Sequence, residues 1–317
     1  MDVVSDAISA VHLGHPWSHR VRRSGRWCAR RDPYDGAGFY VVLQGNCWLL
    51  PDGGSPISIG VGDAVLLPHG TGHVLADSPV DPTNAVSQAV PFEHWLAEPA
   101  ASAHPDHDAV EILCGRYWLD CSRIHPLMTE LPEVVHLPSR VGRHLELRAA
   151  IDLLAGELDE RRPGSCVALP NLLDLLLVYM IRSWMTDATS GAWPGALGDP
   201  VTAAALRALH SDPSAAWTVD RLAAAAGVSR PTLIRRFTSL VGRPPMAYLT
   251  WWRLIRAATL LRDTSETLAT IAGRVGYGSP YALSHAFERE FGITPGRYRT
   301  TARDRAMPAA DTRHFAG

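Results

Sequence analysis

The chain has 317 residues, 46% apolar and 20% charged, so it reads as an ordinary globular protein with room for two or three cores. No apolar run reaches the roughly 18 residues that a bilayer span needs; the longest candidate, Leu172 to Met180, is short and interrupted by Asp174. The opening Met1-Asp2-Val3-Val4 lacks the basic and apolar regions of a signal peptide, and Cys28, Cys47, Cys114, Cys121 and Cys166 are odd in number and scattered, which suits reduced thiols and predicts a cytoplasmic protein.

Short apolar runs come first. Phe39 to Leu43, Cys47 to Leu50 and Ala64 to Leu67 read as strands, divided by turns at Gln44-Gly45-Asn46, Pro51-Asp52-Gly53-Gly54 and Pro68-His69-Gly70. This pattern predicts an all-β sandwich or barrel over residues 1–138, with an irregular proline-rich excursion at 79–108. The period then changes. Leu145, Ala149, Leu153 and Leu154 share a helical face that Leu158 extends, and a second helix is predicted from Pro170 to about Met185, giving a helical region over 139–190. Gly191-Ala192-Trp193-Pro194-Gly195 reads as a linker, 191–199, before an all-helical segment at 200–302 and a tail at 303–317.

Charge divides the same way. Residues 1–198 hold 14 Arg against 23 Asp and Glu, a balance of −9, whereas residues 199–305 hold 15 Arg against 8 acids, a balance of +7; the chain has no Lys. The basic C-terminal part suits a polyanion partner.

That part is also duplicated. Ser229, Leu233, Phe237, Gly242, Pro245 and Tyr248 recur fifty residues on as Ser279, Leu283, Phe287, Gly292, Pro295 and Tyr298, and Leu222, Ala223 and Gly227 recur at an offset of forty-nine as Ile271, Ala272 and Gly276. Each copy has helix-turn-helix logic: Thr218 caps a first helix, Gly227 or Gly276 turns the chain, and Ser229 or Ser279 caps a second helix. Leu233, Phe237 and Leu240, then Leu283, Phe287 and Phe291, fall on the inner face. Arg230, Thr232, Arg235 and Arg236, then Pro280, Tyr281, Ser284 and His285, fall on the outer face. A connecting helix from about Met246 to Arg262 spans roughly 26 Å, which suits two helices set about one DNA turn apart.

Residues 200–300 resemble the AraC/XylS family of bacterial transcription regulators. The resemblance is carried by Leu222-Ala223 through Gly227-Val228-Ser229, by Leu233-Ile234-Arg235-Arg236-Phe237 and by Phe287-Glu288-Arg289-Glu290-Phe291-Gly292-Ile293-Thr294-Pro295 with Tyr298-Arg299. It implies base-reading positions at Pro231, Ile234 and Arg235, and at Tyr281, Ser284 and His285. Arg235 is the best candidate for a bidentate guanine contact, a phosphate contact being the alternative; Pro231 and Ile234, apolar where the family often has polar or aromatic readers, either touch thymine methyls or contribute nothing. His285 stands where the family often has Arg, so the second unit is expected chiefly to contact the backbone.

Gly62-Asp63-Ala64 through Pro68-His69-Gly70-Thr71-Gly72-His73 resembles the second cupin motif, and Cys114-Gly115-Arg116-Tyr117 and His125-Pro126-Leu127 resemble the sensor domains joined to AraC-type regulators. The fold implied is multidomain α+β: a cupin-like β-barrel, a helical region that pairs copies or packs on the β domain, and an all-α domain with two helix-turn-helix units. The implied partners are double-stranded DNA, a small-molecule effector, a second copy of the chain and RNA polymerase. Trp27, Tyr40, Trp48 and His73 are the effector candidates, with plain core as the alternative for the aromatics. His73 has three readings: a polar anchor in a cavity, a metal ligand with Cys47 and Cys114, or a core histidine bonded to backbone. Residues 31–45, where the first cupin motif would lie, contain no His and no Glu, so the ligand set of a metal-dependent cupin enzyme is incomplete. Neither catalytic residues nor a cofactor are expected. A regulator with no small-molecule ligand is the other alternative.

Overall fold

Alternation of inward and outward side chains builds the N-terminal part, which a computed structural model describes with the rest of the chain over residues 3–79, 87–98, 109–119, 125–159, 163–188 and 191–306. The strands are β1 (His12–Arg23), β2 (Cys28–Arg31), β3 (Ala37–Gln44), β4 (Cys47–Pro51), β5 (Ile57–Ile59), β6 (Ala64–Leu67), β7 (His73–Ala76), β8 (Val90–Pro91), β9 (Val110–Leu119) and β10 (Val135–Leu137). They form two five-stranded sheets, ordered β1-β9-β3-β6-β10 and β5-β4-β7-β2-β8. Val42, Val65, Leu67 and Ile112 of the first sheet share a core with Ala29, Leu49, Ile59 and Leu75 of the second. The expected closed barrel is therefore two open sheets packed face to face, because no hydrogen-bonded ladder joins their edges among the described residues. Within the stretch expected to be irregular lies α2 (Phe92–Ala97), which plugs Phe92 and Trp95 into that core.

After the short α3 (Pro126–Thr129), two longer helices follow, α4 (Leu145–Asp159) and α5 (Ser165–Asp187), packed on each other. Leu147, Ala150, Ile151 and Leu154 are the buried face of α4, while Leu145 and Leu153, expected inside, are 67% and 62% exposed. Helix α5 starts five residues before Pro170, which lies inside it. By length and composition alone it could cross a membrane, a correction to the run count that Asp174 broke. Its inner face carries Leu173, Leu176, Leu177, Met180 and Ile181, and Tyr117 donates to the Leu173 carbonyl at 2.7 Å.

Contacts divide the chain into two units, one of Val11–Ile124 and Met128–Thr189, the other of Met1–Ala10, His125–Leu127 and Ser190–Gly317. The second unit comprises α1 (Val3–Val11), α6 (Ala192–Gly198), α7 (Pro200–Ser211), α8 (Val219–Ala225), α9 (Arg230–Val241), α10 (Pro245–Asp263), α11 (Leu268–Arg274), α12 (Pro280–Phe291) and α13 (Pro295–Ala306). The expected linker at 191–199 is thus the helix α6. Trp193 is 2% exposed and packs on the rings of His125 and Tyr248, at 5.0 and 6.3 Å between centroids.

A directed polar chain crosses this unit. His125 Nδ1 accepts from the Leu127 N–H at 3.1 Å, so Nε2 carries the proton and donates to the Tyr248 hydroxyl at 3.1 Å. Tyr248 in turn donates to His210 Nε2 at 2.8 Å, and His210 Nδ1 donates to Asp6 at 2.8 Å. Burial holds His125 neutral by pushing its pKa well below the usual value.

The duplicated segments fold alike. Thr218 caps α8 by accepting from the Arg221 N–H, and Thr267 caps α11 by accepting from Thr270. Phe237 meets Tyr248 edge-on at 5.7 Å and Phe287 meets Tyr298 at 5.4 Å, so the repeat preserves one aromatic contact in both copies. One cap differs. Ser279 accepts from the Ala282 N–H, whereas Ser229 bonds the Thr232 hydroxyl instead of a backbone N–H.

Gly276, with φ of 81°, has a stricter requirement than an open turn: a Cβ there would lie 2.8 Å from both Arg253 Nη2 and Ser214 Cα. Arg253 is pinned at that spot by bonds to the carbonyls of Pro213 and Ala215 at 2.7 and 2.9 Å. Gly276→Ala is therefore expected to destabilise the helical unit by about 1–3 kcal/mol. Urea unfolding checks it; a change below about 0.5 kcal/mol would show that the turn relaxes freely.

Candidate functional site

The outer face of α9 presents Arg230, Pro231, Arg235 and Arg236 to solvent, with Thr232 and Ile234 half-buried. It is held out by Leu233, Phe237 and Val241 underneath. The three arginines are not equivalent. Arg236 reaches Asp199 at 3.2 Å, and Asp199 also caps α7 by accepting from the Thr202 N–H at 2.8 Å. That contact engages Arg236 within its own unit. Arg230 lies 3.6 Å from Asp220 across a solvent-exposed gap. Arg235 makes no hydrogen bond or ion pair among the described residues, so its guanidinium is free for a ligand.

On α12, Tyr281 is 85% exposed and His285 is also exposed, while Pro280 and Ser284 are half-buried. Leu283, Phe287 and Phe291 anchor the inner face. The exposed positions of the two helices correspond at the fifty-residue offset, Arg235 with His285 and Pro231 with Tyr281.

In the β unit the proposed effector residues do not line one cavity. His73 is fully buried, donates from Nδ1 to the Thr71 carbonyl at 2.7 Å and meets the Tyr40 hydroxyl through Nε2 at 2.7 Å. It is a core histidine with both nitrogens engaged, so the metal-ligand reading lacks a free lone pair. Burial pushes the Cys47 and Cys114 thiols up to about 12, which keeps them protonated and poor ligands. No group of three His, Cys, Asp or Glu able to hold a metal occurs among the described residues. Trp27 packs on Trp95 at 5.1 Å, and Trp48 faces away from the core side taken by Cys47 and Leu49.

A cavity lies elsewhere in this unit. A space of about 320 Å³ opens beside the end of β2 and is lined by Arg30, Arg31, Asp32, Tyr34, Glu93 and Arg116. Sequence reading missed it because β2, Cys28-Ala29-Arg30-Arg31, has no apolar run to mark it as a strand.

Burial pushes the His73 pKa down to about 4. Unfolded, the imidazole protonates near its ordinary 6.5, so the unfolded state takes up the extra proton between these values. Stability is therefore complete above pH 6.5 and falls, by up to about 1.4 kcal/mol per pH unit, as the pH drops towards 4. Denaturant unfolding at pH 7.5 and 5.0 should show this loss, with a shallower dependence in His73→Gln. An equal slope in the variant would assign the effect to other groups.

A two-sheet domain followed by a duplicated helix pair, the first copy with an arginine-rich outer face, has the layout of a two-part DNA-binding protein. A family model described as Cupin matches residues 2–186, one described as helix-turn-helix domain matches 222–301, and one described as bacterial regulatory proteins, tetR family, matches 201–239. An AraC-like transcription regulator of Streptomyces lividans is 36% identical over 94% of this chain and 98% of its own. The HTH-type transcriptional regulator AlkR of Acinetobacter baylyi is 28% identical over 94% and 99%. The DNA-binding domain of AdpA, solved with a target DNA, is 37% identical over 34% of this chain and 96% of that one, with a TM-score of 0.32. The chain belongs to the AraC family of DNA-binding transcription regulators and carries a cupin domain ahead of its helix-turn-helix region.

Proposed function

We propose that α9 and α12 are the recognition helices of two helix-turn-helix units that enter successive major-groove segments, under the control of a small-molecule effector held by the cupin domain. The observation that carries this reading is the matched outer face of the duplicated helix pair, with an unpaired Arg235 at its centre. The 19 residues of α10 span roughly 28 Å, close to the roughly 34 Å of one DNA turn. Arg235 reads guanine through its planar fork; His285, with at most two donors, contributes mainly to backbone contact. Leu145 and Leu153 on α4 and Val167 and Leu175 on α5 are exposed apolar side chains that a second copy would cover, supporting a homodimer.

The test is the affinity of the full chain for DNA from its own upstream region across a salt series. A protein that neutralises several phosphates releases their counterions, so log affinity falls linearly with log salt at a slope of about −0.9 per phosphate. A slope of several units is expected; salt-independent binding contradicts the reading.

A further inference from the structure

The cavity beside β2 contains an arginine that no hydrogen bond or ion pair holds among the described residues. Strand alternation turns Ala29 and Arg31 inward and Cys28 and Arg30 outward, so an arginine stands where the core calls for an apolar side chain. Arg31 is 8% exposed. Its guanidinium carbon lies 4.6 Å from the ring centres of both Tyr34 and Phe92 and 6.0 Å from that of Trp17. Contacts to ring faces use none of its N–H donors, and no hydrogen bond or ion pair holds it among the described residues. The neighbouring cations are engaged. Arg30 grips Asp52 through two bonds, at 2.5 and 2.8 Å, and Asp32 at 3.2 Å, while Arg116 donates to the Asp35 carbonyl and lies over the Tyr34 and Trp118 rings.

A guanidinium on a cavity lining with no protein acceptor is open to a ligand, and a carboxylate supplies the bidentate partner that its fork geometry fits. Tyr34, Pro33 and Pro91 on the lining offer an organic body some apolar surface. Asp32 and Glu93, also on the lining, oppose a second negative charge and so disfavour a phosphate dianion. The volume is at the small end of ligand pockets. We infer that the cupin domain binds a small organic monocarboxylate in this cavity, with its carboxylate paired to Arg31. This deepens the effector reading above by naming the ligand class and moving the site away from Trp27, Tyr40, Trp48 and His73.

Calorimetric titration of the full chain with benzoate, phenylacetate and hexanoate tests it, with benzamide, phenylacetamide and inorganic phosphate as controls. At least one carboxylate is expected to bind saturably, tenfold or more tighter than its amide and than phosphate. Arg31→Met should weaken it at least tenfold. Arg31→Lys keeps the charge but loses the fork, and should weaken it to a lesser degree; if Arg31→Met does not fold, a loss in Arg31→Lys decides. The inference is overturned if none of the three carboxylates binds, if an amide binds as tightly, or if the folded variants bind like the wild type. Adding each probe to the DNA-binding assay separates the two claims. A carboxylate that needs Arg31 yet leaves DNA affinity unchanged supports the site and counts against effector control. DNA affinity that responds only to a neutral molecule does the reverse.

Discussion

Arg235→Ala is expected to cost the full chain about 1–3 kcal/mol of affinity for its preferred operator, a loss of roughly 5- to 150-fold, and to relax the base preference at one position. Two features of the side chain combine in this. Its guanidinium is exposed and makes no hydrogen bond or ion pair among the described residues, so no such contact must be broken before it reaches DNA. Its donor fork matches the O6 and N7 acceptors of guanine, which a histidine at the corresponding position cannot reproduce. His285→Ala should cost less and leave the preferred sequence intact. Arg236→Ala should weaken binding little, because Arg236 is engaged with Asp199. Binding selection on randomised operators at fixed salt reads all three. Loss of a base preference in His285→Ala, with uniform weakening in Arg235→Ala, would make α12 the principal reader and Arg235 a phosphate contact.

The second large effect lies beneath the same face. Phe237 and Phe287 are fully buried and each packs edge-on against the tyrosine eleven residues on. Either Phe→Ala change removes a whole ring from a closed interior and leaves a cavity, so each should destabilise the helical unit by about 3–5 kcal/mol. Domain stabilities are about 5–15 kcal/mol, so either loss is a large share. Tyr281→Ala, at the exposed position of α12, should change stability by less than about 0.5 kcal/mol while affecting DNA binding. Denaturant unfolding checks the set. A loss below about 1 kcal/mol in either Phe variant would show that the repeated aromatic contact is not structural.

The helix pairs were legible because their requirements are positional. Gly227 and Gly276 hold positive φ, Thr218 and Ser279 cap, and Leu233, Phe237, Leu283 and Phe287 are buried in turn, so each recurring letter marks a local physical demand. The face of α4 was not. Leu145 and Leu153 form one apolar stripe and Leu147, Ile151 and Leu154 another, and periodicity cannot choose between them when surplus leucines stay exposed. Helix α6 was hidden because Gly191, Pro194 and Gly195 signal a break, while the burial of Trp193 depends on His125, 68 positions earlier. The pairing of Asp6 with His210 spans 204 positions and leaves no local trace. A fragment starting at residue 196 would cut through α6 and lose both of those partners. Arg31 stayed out of view for a related reason: its place on the cavity lining appears only when β2 is known to be a strand.

In the proposed arrangement two helices of one chain enter two major-groove segments, α9 reading bases and α12 chiefly contacting the backbone. Guanine N7 methylation lies in the major groove, so methylation interference on the protected operator tests it most directly. With wild-type full-length protein at moderate salt, interfering guanines should fall in two clusters about 10 base pairs apart on one side of the duplex for each bound chain. The α9 cluster alone should vanish in Arg235→Ala. A single cluster, or protection with no interfering guanine, would contradict the account.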